Sequence, residues 1–293
     1  KHARLSSRIY GRALTTSSLH FMSCWRPHQN KCRPDFRRQS IAQMSTNDGS
    51  INVEKSLLSD LAILNHIDAG TVVIEPFLME NLSTSSYDVT LGPFFFREST
   101  PEPGDGIFNP YSESMVRQVW GADHLQTAET AEKYMARTKT KLENIKPDDQ
   151  LIWVRPGETI LGHTNEFIGG RGTVTTMMKA RSSLGRNFIE VCKCAGWGDI
   201  GYVNRWTMEI TNNSRHYSIP LVVGRRIAQI VFFDTQGTLR DRSYSDTGKY
   251  QTSHDMDALK RDWSPYDMLP KMYCDREIYQ SHPVLENGDP ERI

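Results

Sequence analysis

Nowhere in the 293 residues is there a run of about 18 apolar side chains, the length that a membrane-crossing helix needs. No segment is therefore expected to enter a bilayer. Cysteine is scarce. Cys24, Cys32, Cys192, Cys194 and Cys274 are too few and too irregularly spaced for a disulfide framework, which points to a reducing compartment. None of the nine histidines opens an H-x-E, and no C-x-x-C occurs, so the common zinc spacings are missing. In a strand Cys192 and Cys194 would share one face. With no His or second Cys pair following at ligand spacing, both read as structural thiols, and no protein-held metal is expected.

Net charge is missing too, with 35 basic against 35 acidic side chains, but the balance conceals an asymmetry. Residues 1–43 hold nine basic side chains and one acid, Asp35; removing them leaves 26 basic and 34 acidic, a net of −8, for 44–293. A body of that sign offers no general nucleic-acid footprint, so any anion it binds must be gripped locally. The first 43 residues are Arg- and Ser-rich, as in a mitochondrial presequence. Alternatively "MSTNDGS" from Met44 is the natural start and the leader is an artefact of the gene model. The two readings place the protein in mitochondrion or cytoplasm, and the leader is left out of the fold in both.

What is present is mostly strand and turn. "EKSLLSDLAILNHIDAG" (54–70) carries a helical stripe of Leu57, Leu58, Leu61, Leu64 and Ile67, with Ser56 or Ser59 to cap it and Gly70 to end it. "TVVIEPFL" and "SSYDVTLGPFFFR" read as strands, the second broken at Gly92-Pro93. Residues 98–118 are loop, and 120–145 read as a helix or a loosely held insertion. From 150 to 235, short β-rich runs between Gly, Pro and Asn turns imply an antiparallel sandwich or barrel. Residues 236–293 lose the pattern and look like an extended arm. The domain is therefore expected over 54–240, with an insertion at about 98–145 and an arm and tail over 241–293.

One polar constellation interrupts the strands. In "NRWTMEITN", Trp206, Met208 and Ile210 fall on one face and Arg205, Thr207, Glu209 and Thr211 on the other. Glu209 alone would be a cross-strand ion pair. "ARSSLGR" adds Arg181, Ser182, Ser183 and Arg186 in a tight polar turn. Serine hydroxyls, a serine N-cap, free backbone N–H groups and forked guanidinium donors suit a phosphate chain; the plainer alternative is a basic turn that caps a helical segment. Asp199, in "AGWGDIGY", either accepts from a sugar hydroxyl or makes an Asx-turn.

The ordered set "SYDVTLG", "LIWVRPGETILGHTNEFI", "ARSSLGR", "AGWGDIGY", "MEITN", "IPLVVGRRIAQIVFF" and "GKYQ" resembles the deoxycytidine triphosphate (dCTP) deaminase branch of the deoxyuridine triphosphatase (dUTPase) superfamily, over about residues 56–254. The resemblance implies an all-β-dominated, distorted jelly-roll sandwich with a short N-terminal helix and an extended C-terminal arm. It also implies a homotrimer with sites between subunits, nucleotides such as dCTP, dUTP and dTTP as ligands, and Mg²⁺ carried on the triphosphate. By position, Glu209 matches the glutamate that activates water, Ser182 and Arg186 an essential serine and arginine, and the backbone of Ala195 a water-holding site. Arg181 and Ser183 fall at phosphate positions, Asp199 at the deoxyribose 3′-hydroxyl, and Lys249 and Tyr250 on an arm that closes over the triphosphate. Gln229 is carried over as nucleotide-binding, although inside "GRRIAQIVFF" it reads equally as a core hydrogen-bonder. Four positions depart from the family pattern. Gly198 stands for an aliphatic residue, Ile200 for a proline, Asn204 for a glycine, and Ser253 for a phosphate-contacting glutamine.

The chemistry implied is attack of water on cytosine C4, with one half-buried carboxylate moving a proton from water to the departing amine. Arg186 nearby would restrain the rise that burial gives such a carboxyl. Zinc nucleobase deaminases use H-x-E and P-C-x-x-C, which this chain lacks, so zinc-independent conversion of dCTP to dUTP and ammonia is the leading expectation. The alternatives are a bifunctional enzyme that continues to dUMP and diphosphate, a plain dUTPase, and a non-catalytic nucleotide-binding trimer.

Overall fold

The computed structural model describes residues 56–278 apart from 103, 105, 122, 124, 239–243, 245–247 and 252. The leader 1–43 and the tail after 278 lie outside the described residues. In the N-terminal half, helix α1 (Asp60–Asp68) precedes strands β1 (Val72–Glu75), β2 (Leu82–Ser83), β3 (Ser86–Thr90) and β4 (Phe94–Arg97). Helix α2 (Glu113–Val119), the two-residue strands β5 (Gln126–Thr127) and β6 (Glu129–Thr130), and helix α3 (Ala131–Thr138) follow. The main strands are β7 (Gln150–Val154), β8 (Thr159–Gly170) and β9 (Val174–Ala180), then the single turn α4 (Ser182–Arg186). The remainder comprises β10 (Ile189–Val191), β11 (Trp197–Gly198), β12 (Val203–Asn212), β13 (Ile219–Val222), β14 (Arg226–Asp234) and α5 (Met256–Asp262).

Every pairing among these strands is antiparallel. One sheet runs β10-β12-β8-β4-β5 with β1 also on β8, a second runs β11-β9-β14-β3-β2, and a small third sheet is β13-β7-β6. The two large sheets share one core. Tyr87, Val89, Met178, Ile230 and Phe232 from the second meet Ile160, Ile168, Trp206, Met208 and Ile210 from the first. This is the expected sandwich.

Period-2 alternation decides which side of β12 faces in. Trp206, Met208 and Ile210 are buried, while Arg205, Thr207 and Glu209 are only partly so. Each buried apolar side chain contributes about 1.5–3 kcal/mol, so three of them fix the register against the smaller cost of half-burying Glu209. α1 starts at Ser59, whose hydroxyl accepts from Ala62 N at 3.3 Å, and Gly70 ends it at φ +74°, a left-handed turn suited to glycine.

Residues 98–145 are less loose than the sequence suggests. Val116 of α2 joins a small core with Phe96 and Leu161, and Ala131 of α3 joins another with Leu151 and Val222. The arm after β14 likewise returns across the sandwich. Met268 and Leu269 pack into the Phe96–Leu161 cluster, and the Trp263 ring lies 4.8 Å from that of His163. These apolar residues follow no helical or strand period, so periodicity passes over them.

Candidate active site

A cavity of about 400 Å³ opens over the outer face of β12, a size that suits a nucleoside. Thr207 and Glu209 line it from β12, Leu161 from β8, Ala195, Trp197 and Asp199 from the turn before β12, and Tyr244, Tyr250, Met268 and Pro270 from the arm. Glu209, Ala195, Asp199 and Tyr250, four of the residues singled out from sequence, thus meet in one place. A larger hollow of about 620 Å³ lies between Glu98–Glu102 and α2. It includes none of the constellation and has no link to this chemistry.

The turn that carries Ala195 and Asp199 depends on close backbone approach. A Cβ on Gly196 would sit 2.2 Å from Met178 O, and one on Gly198 would sit 2.3 Å from Thr176 Oγ1 and 2.6 Å from the Trp206 ring. Glycine at 198, where the resemblance expects an aliphatic side chain, therefore follows from the indole that fills the space. Cys192 (φ 63°) and Lys193 (φ 41°) are left-handed, and Ala195 N donates to Cys192 O at 2.7 Å. The Ala195 N–H is thus engaged, and its carbonyl is the atom left to hold a water. The same turn corrects the cysteine reading. β10 ends at Val191, so Cys192 is buried, Cys194 is exposed, and the pair shares no strand face.

Glu209 is half-buried, and its carboxyl is held above the usual carboxylate range. Burial is the main cause; the backbone N–H of Glu209 and the Lys193 ammonium work against it. The restraining cation within the chain is Lys193, where the sequence suggested Arg186. The arm closes the cavity with aromatic rings. Tyr202 packs edge-on to Trp206 (5.2 Å) and Tyr244 (5.0 Å), and burial pushes its phenol well up.

The other expected residues lie elsewhere on the chain. Ser182, Ser183 and Arg186 sit exposed on α4, outside the cavity. Arg181 is itself the N-cap of α4 and no side chain caps the turn, so the serines are its first helical residues rather than its cap. Arg181 Nε lies 3.3 Å from Asp88 Oδ2, an oxygen that also accepts from Arg226 Nη1 at 2.9 Å. Gln229 stands in β14 between Asp88 and Lys179 and lines no part of the cavity. Lys249 pairs with Asp275 and borders a separate small hollow. Thr207, Tyr202 and Tyr244 were not singled out from sequence. Alternation puts Thr207 on Glu209's face, whereas no local pattern marks the two tyrosines. Among the described residues, no three His, Cys, Asp or Glu side chains group so as to hold a metal ion.

A family model described as dCTP deaminase-like matches residues 57–235. The chain belongs to this family. Its relatives include a protein of Methanococcus vannielii named "dCTP deaminase, dUMP-forming", 30% identical over 217 residues, 71% of this chain and 97% of the relative. A protein of the same name from Methanosphaerula palustris is 26% identical over 195 residues, 67% of this chain and 90% of the relative. Among solved structures, 2′-deoxycytidine 5′-triphosphate deaminase of Agrobacterium tumefaciens overlaps 61% of this chain and 48% of its own, at 19% identity and a TM-score of 0.41.

Proposed function

We propose that the protein deaminates dCTP and carries the product on to dUMP, with Glu209 as general base and acid. The observation behind this reading is the half-buried carboxyl of Glu209, raised by burial and facing a nucleoside-sized cavity together with Ala195 and Asp199. Ionised, Glu209 takes a proton from a water held at the Ala195 carbonyl while that water's oxygen bonds to cytosine C4. The tetrahedral carbon then collapses as Glu209 returns the proton to the amine. The C–N bond breaks and ammonia leaves, and the C4 hydroxyl passes its remaining proton to ring N3 as the uracil carbonyl forms. Such proton transfer is worth about 10²–10⁴-fold, and a raised pKa suits a group that must both accept and donate near neutrality. The absence of H-x-E and C-x-x-C signatures favours water activation by the carboxylate over activation by zinc. Asp199 accepts from the sugar hydroxyl, and Tyr250 closes the arm side.

The sequence favoured dUTP as the end product. The dUMP-forming names of the relatives favour the second step, in which water displaces diphosphate from dUTP. Mg²⁺ would reach the site on the nucleotide's phosphates and neutralise charge there. The exposed Ser182, Ser183 and Arg186 of α4 and its N-cap Arg181, absent from their own chain's cavity, suit a homotrimer in which one subunit's α4 meets a neighbour's cavity, with Ser182 and Arg186 beside Glu209 and Arg181 and Ser183 on the phosphates.

Incubation with dCTP, with ammonia and diphosphate followed separately, tests the reading. Equal release of both is the expected result, and Glu209→Gln should lower ammonia release by about 10²–10⁴-fold while dCTP still binds. Diphosphate without ammonia, or an active Glu209→Gln protein, overturns it.

A further inference from the structure

The arm is stitched to the strand that carries Glu209 by two buried side-chain amides. Asn204, near the start of β12, accepts from Arg205 N through Oδ1 at 2.8 Å and donates from Nδ2 to Tyr250 O at 2.9 Å. Gln251 accepts from Val203 N through Oε1 at 2.7 Å, and its Nε2 donates to Gly201 O at 3.1 Å and Ser253 O at 3.0 Å. Asn204 is 6% exposed and Gln251 3%, so water competes little for these bonds and leaving one unmade is costly. Tyr250 is held at its far end as well, where its hydroxyl accepts from Lys271 N at 3.0 Å.

An amide side chain is needed for this geometry. A carboxylate of the same shape accepts from the strand but has no proton to donate to the arm's carbonyl. Both positions therefore use the donating half of the amide to reach the arm or the turn beneath it, and the accepting half to stay on β12.

We propose that Asn204 and Gln251 are positioning residues that hold Tyr250 against the Glu209 cavity before any nucleotide is present, making it a standing wall of the site. This rests on the function proposed above only as regards what fills the cavity. Nucleotide then meets a prebuilt roof and does not have to order the arm, an ordering whose cost would otherwise be taken from affinity.

The test uses Asn204→Asp and Gln251→Glu, which keep shape and the strand-side acceptor. Amide hydrogen exchange is read in the nucleotide-free protein, alongside KM and kcat for dCTP. The backbone amides of 249–251 and 253 should exchange about tenfold faster in Asn204→Asp, which loses one buried hydrogen bond, and at least as much faster in Gln251→Glu, which loses two, while β8 exchanges as before. KM should rise about tenfold with kcat falling less. Wild-type exchange at 249–253 in both variants overturns the proposal, as does a fall in kcat with KM unchanged. If one variant also exchanges faster in β8, its fold is disturbed and the other variant decides. A protein inert towards dCTP whose arm still loosens in both variants would sink the proposed function and leave the tether standing.

Discussion

At the scale of single residues, Glu209 is where stability and chemistry conflict. Its carboxyl is raised by burial, so the folded state holds the proton more tightly than the unfolded chain does. The ionised group therefore opposes folding: the penalty is complete above the folded pKa, shrinks as pH falls below it and is gone below the unfolded pKa. Glu209→Gln should raise the melting temperature at pH 7 and leave it nearly unchanged at pH 4. A scan showing the reverse would place the carboxyl in water. For the same reason the acid limb of the kcat/KM profile should lie above that of an ordinary glutamate. Arg181→Ala should weaken dCTP binding about tenfold and deoxycytidine binding hardly at all, read by titration calorimetry, because a phosphate gains most from a guanidinium. The meeting of Glu209, Ala195 and Asp199 in one cavity was legible in part, since local text gave the face of Glu209 while the resemblance singled out Ala195 and favoured Asp199. The alternation of β12 sets the direction of one, and a glycine-bounded turn holds the other two. Lys193 was not, because only the left-handed bend at Cys192 brings its ammonium towards the carboxyl.

Among the elements, the joint between β4, β8 and the arm depends on His163. Its Nδ1 donates to Thr164 O at 2.8 Å and its Nε2 accepts from Phe94 N at 3.3 Å, which requires the neutral ring. Burial lowers its pKa to about 4. The folded state therefore refuses a proton that the unfolded chain accepts. Stability from this residue is complete above about pH 6.5 and is lost as pH drops towards about 4. The loss should reach about 3 kcal/mol, measured by urea unfolding, and His163→Gln should flatten it. The ring also explains the glycine that breaks the β3–β4 segment, since a Cβ on Gly92 would lie 2.0 Å from His163 Cε1. Gly92→Ala should cost about 1–3 kcal/mol. The sequence marks Gly92 as a breaker. The histidine that requires it is 71 residues away, and such distant contacts leave no periodic trace. The same limit hid the packing of Met268 and Leu269.

For the molecule as a whole, one chain carries the carboxylate cavity and, on a separate surface, the serine–arginine turn. If neighbours complete each other's sites as proposed, two dead proteins should revive one another. Co-refolded Glu209→Gln and Ser182→Ala chains should recover up to about a quarter of wild-type ammonia release, since each intact half meets an intact partner half of the time by chance. No recovery would confine each site to a single subunit. Alternating apolar runs between turn residues read as a sandwich or a barrel, and the order of the motifs pointed to the family and with it to the sandwich. How subunits meet was not readable, because the contacts that decide it lie on surfaces with no periodic signature.

Asp88 makes contact with two guanidiniums through a single oxygen. One negative charge cannot cancel two positive ones, so this edge of the protein keeps a surplus of positive charge beside α4. That surplus lies partly in solvent, where it would draw a triphosphate inward from about 10 Å at about 0.1 M salt and from farther at lower salt. Nucleotide capture should accordingly slow as salt rises, even though the body of the protein is acidic.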